Sequence, residues 1–277
     1  MQSSLIVLLC AVSGYSILSI SQAGQKIGLH TIPRNRLRGW GIWILATTGT
    51  AVSFFLVLVA LGIGSVALVG AMTGTGMAAL TVISHYVLHE RVGRRELVGV
   101  ALIALGAGLA GAVPLGTEQG ARVGLLYRSL AIVGGVYLLG ASLMRVKSRR
   151  GIILGGLAGS LAAFSQLFQK LGTLSLSLDD GLRAVLLDLI ANPPILISVV
   201  ITVTSMLIAQ LAYTSGEAIR IIPSYTAHAS AVPVLGGVFV FDERLEPAHW
   251  LGVSLLFVGT MILVFARRSE SSTESGS

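Results

Sequence analysis

The chain has 277 residues, of which 54% are hydrophobic and only 11% charged, and its mean hydropathy is +0.86. Soluble domains carry about 25% charge, so a sizeable water-soluble domain is excluded over these residues. The net charge of +7 does not point to nucleic acid, because the basic residues sit in short loops between apolar runs. Cys10 is the lone cysteine and has no internal partner for a disulfide.

A membrane-crossing helix needs about 20 apolar residues, and lipid demands that backbone groups be satisfied within the segment. On that basis the sequence predicts nine spans, over residues 4–22, 40–61, 64–88, 96–114, 125–144, 151–172, 195–215, 218–241 and 248–266. The first run has no positive charge before it, so it reads as a retained span despite a cleavage-like Ser21-Gln22-Ala23. It ends in the segment SQAGQKIG, with Gln22, Gln25 and Lys26. Trp40 and Trp43 open the second span, as interfacial aromatics do. The breaks at 62–64 and 215–217 predict tight helical hairpins.

The third span carries Thr73 and Thr75. The fourth carries Gly99, Gly106 and Gly108, and the fifth is marked as weakest by Arg128 near its start. Gly151, Gly155, Gly159 and Ala163 recur every fourth residue along the sixth, a stripe that permits close backbone contact. That span ends in SQLFQKLG, with Gln166, Gln169 and Lys170. The seventh holds Gln210 and Tyr213. The eighth holds Arg220, Pro223, Ser224, Tyr225, Thr226, His228, Ser230 and Pro233, and its two prolines are expected to kink it around a cavity. Gly252 and Gly259 lie in the ninth. The Ser/Glu-rich tail after Arg268 is expected to be disordered.

The chain resembles itself. SQAGQKIG at 21–28 and SQLFQKLG at 165–172 share Ser, both Gln, Lys and Gly, 144 residues apart. ERVGRRELVGVALIALG from Glu90 and ERLEPAHWLGVSLLFVG from Glu243 share Glu, Arg, Gly, Val, Leu and Gly at identical spacing, 153 residues apart. Spans one to four therefore correspond to spans six to nine. The odd span between them inverts the second copy, a common plan among secondary transporters. The expected division is a first repeat over 1–114, a linker helix within 115–150, an inverted second repeat over 151–266 and a tail over 267–277. Alternate loops place 14 Lys and Arg on one side and 5 on the other. The richer side is expected to be cytoplasmic, in a plasma or bacterial inner membrane, with the N-terminus outside and the C-terminus inside.

The junctions HERVGRRELVGVALIALGAG and FDERLEPAHWLGVSLLFVGTMI resemble those of the drug/metabolite transporter (EamA-like) superfamily. The span count and the two QK[IL]G segments most resemble its NIPA-like branch of proposed magnesium transporters. The resemblance covers about residues 5–266. It implies an all-α membrane fold and a transporter, with magnesium or another divalent cation as one candidate cargo and a small organic solute as the other.

The candidate pathway residues are Thr73, Thr75, Gln210, Tyr213, Ser224, Tyr225, Thr226 and His228. An ionisable group inside a span is a functional hypothesis by default, and a neutral, hydrogen-bonded histidine is the competing reading of His228. Gln22, Lys26, Gln166, Lys170 and Arg220 are candidate mouth or gate residues. The lysines read equally as side chains that snorkel to the headgroups, and the amides as bonds between helices. Glu90 and Glu243 read as interfacial residues that brace the turn into their own next helix. The twelve acidic residues all fall at span ends, in loops or in the tail, which disfavours a dehydrated magnesium site. No cofactor, resident metal site or catalysis is expected. The expected partners are a small-molecule or ion substrate, membrane lipid and a second copy of the chain.

Overall fold

The computed structural model describes residues 2–87, 93–112, 121–143, 147–175, 191–215 and 218–274. Among these residues ten helices follow in order: α1 Gln2–Thr31, α2 Arg36–Ile63, α3 Val66–Ala71, α4 Thr73–Val87, α5 Arg94–Ala112, α6 Val123–Leu143, α7 Lys147–Thr173, α8 Pro193–Ser215, α9 Ala218–Val240 and α10 Pro247–Glu274. No strand occurs among the described residues. Among the described residues four segments, Leu5–Gln25, Arg36–Ile63, Arg150–Thr173 and Pro193–Ala212, are long and apolar enough to cross a membrane. Large side chains such as Leu45, Leu105, Ile132, Val200 and Leu207 stand on the outside of the bundle. That surface suits lipid and not water.

Local chemistry starts the helices where loops end. Asn35 accepts the Arg38 N–H at 3.1 Å and opens α2, and Ser65 accepts the Leu68 N–H to open α3. Asn192 does the same for α8, ahead of Pro193 in the first helical position. The starts of α5 and α10 use side chains that reach back one turn. Glu96 accepts the Gly93 N–H, and His249 Nδ1 accepts the Glu246 N–H at 3.1 Å. The two devices occupy equivalent places in the ER-containing segments, with a carboxylate in one and an imidazole in the other.

The third apolar run is not one helix. It breaks at Met72, and the Thr73 and Thr75 hydroxyls donate to the Gly70 and Met72 carbonyls at 2.6 and 2.7 Å. Hydroxyls at such a break satisfy carbonyls that the helix ladder releases. The proline-bearing eighth run, by contrast, is one helix from Ala218 to Val240. The C-terminal segment also departs from expectation, because α10 continues to Glu274. Ser, Thr and Glu are tolerated in a helix that is already nucleated, and neither Gly nor Pro intervenes before Gly276.

Helix α7 is the central element. Its spanning window is 78% buried, against 33% or less for the other three. It packs on α2, α3, α6, α8 and α9, while α1 packs on α2 and α4, and α5 packs on α10. The core includes Leu61, Leu68, Met72, Leu126, Leu167, Phe168, Phe241 and Leu256. Two polar seams join helix pairs. Ser53 on α2 donates to the Gly14 carbonyl of α1 at 2.7 Å, and Ser205 on α8 donates to the Ala158 carbonyl of α7 at 2.8 Å.

Small residues set the closest crossings. A methyl group on Gly106 would lie 2.7 Å from the Gly252 carbonyl oxygen, and one on Gly259 would lie 2.8 Å from that of Gly99. These glycines let α5 and α10 meet backbone to backbone. Gly108 does not belong to this contact: its Cβ direction is open. Gly106→Ala is therefore expected to lower the unfolding midpoint in detergent, by a destabilisation of about 1–3 kcal/mol. Gly108→Ala should leave the midpoint unchanged or raise it, because alanine removes up to about 1 kcal/mol of helix penalty.

Candidate functional site

Two polar clusters lie within the bundle, and a third sits at one end of it. The first forms where α1, α4, α7 and α9 approach. The Tyr15 hydroxyl donates to Gln166 Oε1 at 3.0 Å, and both side chains are buried. Thr73 and Tyr225 lie beside the same phenol. Gly70 keeps the adjoining α3 close, because a methyl group there would strike Pro233 and stand 3.3 Å from Gln166 Oε1.

The second cluster joins α6, α7 and α9. His228 Nδ1 lies 2.7 Å from the Ser224 carbonyl oxygen, which can only accept, so Nδ1 carries the proton. In the neutral ring Nε2 is then an acceptor, and it takes the Tyr137 hydroxyl. The two rings meet edge to face at 5.5 Å. Ser160 on α7 is 1% exposed, and its hydroxyl lies beside that of Tyr137. Ser230 Oγ and Gln169 Oε1 are buried without hydrogen-bond partners.

The third cluster closes the α2–α3 junction. Lys170, 2% exposed, donates from Nζ to the Leu61 and Gly64 carbonyls, both at 2.8 Å. These are carbonyls that the end of α2 leaves without helical partners. On the other side of the junction Glu243 accepts the Ser65 hydroxyl at 2.6 Å and the Val66 and Ala67 N–H groups at 2.6 and 3.0 Å. Burial raises the Glu243 pKa, and Ser65, the two backbone donors and nearby Lys170 pull it back down. One end of the break is thus held by a lysine on α7 and the other by a carboxylate in the α9–α10 connection.

No family model, curated protein or solved structure matches the chain. The reading of the site therefore rests on its own geometry.

That geometry redistributes the residues singled out in the sequence. Thr73, Tyr225 and His228 are half-buried in the two interior clusters, with Ser224 beside His228. Thr226 is buried on the same helix, Thr75 is buried with its hydroxyl on Met72, and Gln210 is exposed on α8. Gln166 is buried and accepts from the Tyr15 hydroxyl. Lys170 does not snorkel, since its Nζ is enclosed by the α2 end. Glu243 braces α3, a helix distant in sequence, and not the turn into α10. The side chains of Gln22, Lys26, Tyr213 and Arg220 lie outside the described residues, as does Glu90.

Sequence reasoning missed Tyr137, Ser65, Glu96 and His249 as working side chains. Ser65 carried a legible signal, as a serine just before an apolar helical run. Tyr137 carried none, because nothing in the apolar run around it sets it apart.

Proposed function

We propose that the chain is an integral membrane secondary carrier of a small polar or amphipathic solute. It works by alternating access through a cavity between two inverted repeats, each of four spans. The drug/metabolite transporter superfamily is the family we assign, with the NIPA-like branch nearest. The first repeat comprises α1, α2, α3–α4 and α5, the linker is α6, and the second repeat comprises α7 to α10.

Three features support the repeat. The α1–α2 and α7–α8 pairs are sewn by the same serine-to-carbonyl bond, at positions 144 apart for Gly14 and Ala158 and 152 apart for Ser53 and Ser205. The reach-back caps of Glu96 and His249 are 153 apart. The α1–α4 contact is mirrored by the α7–α9 contact.

The observation that carries the functional reading is the Tyr15–Gln166 hydrogen bond. It joins the leading helices of the two halves inside the bundle, beside Thr73 and Tyr225. Carriers of this plan bind substrate at the interface of their repeats, and a cluster of hydroxyls and amides recognises polar, uncharged or weakly charged groups. The N-terminus is placed outside and the C-terminus in the cytoplasm by the basic-residue split. The divalent-cation reading comes second. Among the described residues, the buried carboxylates Glu96 and Glu243 are engaged with N–H and O–H donors, and magnesium sites draw on carboxylates with retained waters.

Uptake into proteoliposomes tests the assignment, comparing Mg²⁺ with a pooled panel of labelled metabolites. Saturable entry of a metabolite is expected, and Gln166→Leu should reduce it at least about tenfold, the effect of losing one well-made polar contact of about 1.4 kcal/mol in binding. Entry of Mg²⁺ alone would replace the first reading by the second. Entry of neither would sink both.

A further inference from the structure

The bonds that Lys170 and Glu243 make at the α2–α3 junction all cross between the two halves. The lysine and the carboxylate belong to the second half. The groups they hold, the Leu61 and Gly64 carbonyls, the Ser65 hydroxyl and the Val66 and Ala67 N–H groups, belong to the first. We infer that this clamp is a gate that shuts one end of the solute pathway, and that α3 links it to the solute cluster. The inference rests on the carrier reading and names the bonds that must break for that end to open.

Helix α3 is built to move as a unit. Its six residues lie between the end of α2 at Ile63 and the break at Met72, so rotations at its two ends carry it without unwinding a neighbour. Its first turn is gripped by Glu243. Its Gly70 stands against Pro233 and the Gln166 amide, which belongs to the solute cluster. Ser65 and Gly70 are five residues apart, about 7.5 Å along a helix. A displacement at Gln166 therefore reaches the clamp through one short, rigid element.

The chemistry of the clamp suits a contact that opens. It consists of hydrogen bonds to charged groups, which water replaces once the end is wet. Both charges stay with the second half and attract each other, so neither is left alone when α3 leaves. The Arg122 N–H donates to the Val240 carbonyl at 2.8 Å and anchors the α9–α10 connection on its far side, which leaves α3 as the part that moves. Glycine keeps the closed contact narrow: a Cβ at Gly237 would strike Glu243 Oε2 and lie 2.8 Å from the Ala67 Cβ. By the basic-residue split this end faces outside, so the state described is shut to the outside.

Gly62 and Thr173 lie beside the clamp on opposite halves. A Cβ at Gly62 would stand 3.8 Å from that of Thr173, a separation that a disulfide spans. The test is the Gly62→Cys/Thr173→Cys pair in a Cys10→Ser background of the full chain. It is read by amide hydrogen exchange in nanodiscs without solute, and by uptake into proteoliposomes. In the reduced protein the Val66 and Ala67 amides are expected to exchange at least about tenfold faster than those of residues 164–168 in α7, and oxidation to slow them at least about tenfold. Oxidation should also stop uptake, and reduction restore it. Either cysteine alone should be indifferent to the oxidant. Exchange that oxidation leaves unchanged overturns the gate, and so does full uptake by the cross-linked protein. If the pair does not fold, exchange in the wild type decides: Val66 and Ala67 amides as slow as those of residues 164–168 mean a fixed strut. The exchange is read without any solute, so the two readings fail separately. Exchange slowed by the cross-link in a protein that takes up nothing retires the carrier and keeps the moving clamp. Uptake that survives the cross-link does the reverse.

Discussion

Lys170→Met is expected to lower the unfolding midpoint of the purified protein by about 10 °C. Removing Nζ takes away both donors to the Leu61 and Gly64 carbonyls and the positive group nearest the buried Glu243 carboxylate. Breaking a buried charged arrangement by deleting one member costs about 3–5 kcal/mol, and each kcal/mol moves the midpoint of a chain of this size by about 2–4 °C. Glu243→Gln should destabilise as well, by about 1–3 kcal/mol. The amide NH₂ would confront donors that now find a carboxylate oxygen, leaving a backbone N–H or the Ser65 hydroxyl unsatisfied. The double variant should lose less than the sum of the two, because both serve one junction. Strict additivity in thermal unfolding would show that Lys170 and Glu243 act independently, against the junction described here.

Gly159→Leu is expected to have an effect of similar size by a different route. The Cβ of any residue at 159 would run into the Tyr225 backbone, its carbonyl oxygen first. The obstacle is main chain, so no rotamer change relieves it and α7 must move away from α9. That movement separates Gln166 from the Tyr15 cluster and Ser160 from Tyr137. The variant should unfold at least about 3 kcal/mol more easily and, where it survives purification, lose uptake. A wild-type midpoint for Gly159→Leu would contradict the close crossing.

Much of the helical layout was legible because apolar run length is a one-dimensional property. Eight of the nine predicted runs coincide with single helices to within several residues, as 40–61 does with Arg36–Ile63 and 195–215 with Pro193–Ser215. The ninth shows where the method stops. The break at Met72 depends on two threonine hydroxyls returning to carbonyls one turn back, and threonine inside an apolar run reads the same whether it does this or not. Pro223 and Pro233 do not end their helix, since α9 runs from Ala218 to Val240 through both.

The site was legible in part. Depth along a span can be read from sequence, and it sets Thr73, Tyr225 and His228 well inside their runs. Direction around the helix cannot be read when the chain is apolar on every side, so the sequence does not show that Gln166 is buried against Tyr15 or that Gln210 is exposed. Lys170 illustrates the same limit. A lysine at a span end ordinarily reaches for headgroups, but the α2 terminus offers two carbonyls nearer by, and α2 is over a hundred residues away in sequence.

The central claim is that the two halves lie in opposite orientations, and cysteine accessibility tests it most directly. In a Cys10→Ser background, Arg34→Cys probes the exposed α1–α2 connection and Ser175→Cys the exposed end of α7, the matching place in the second half. A membrane-impermeant maleimide applied to right-side-out vesicles should label position 175 and reach position 34 only after permeabilisation. Labelling of both from the same side would contradict the inverted repeat, and with it the carrier built on it.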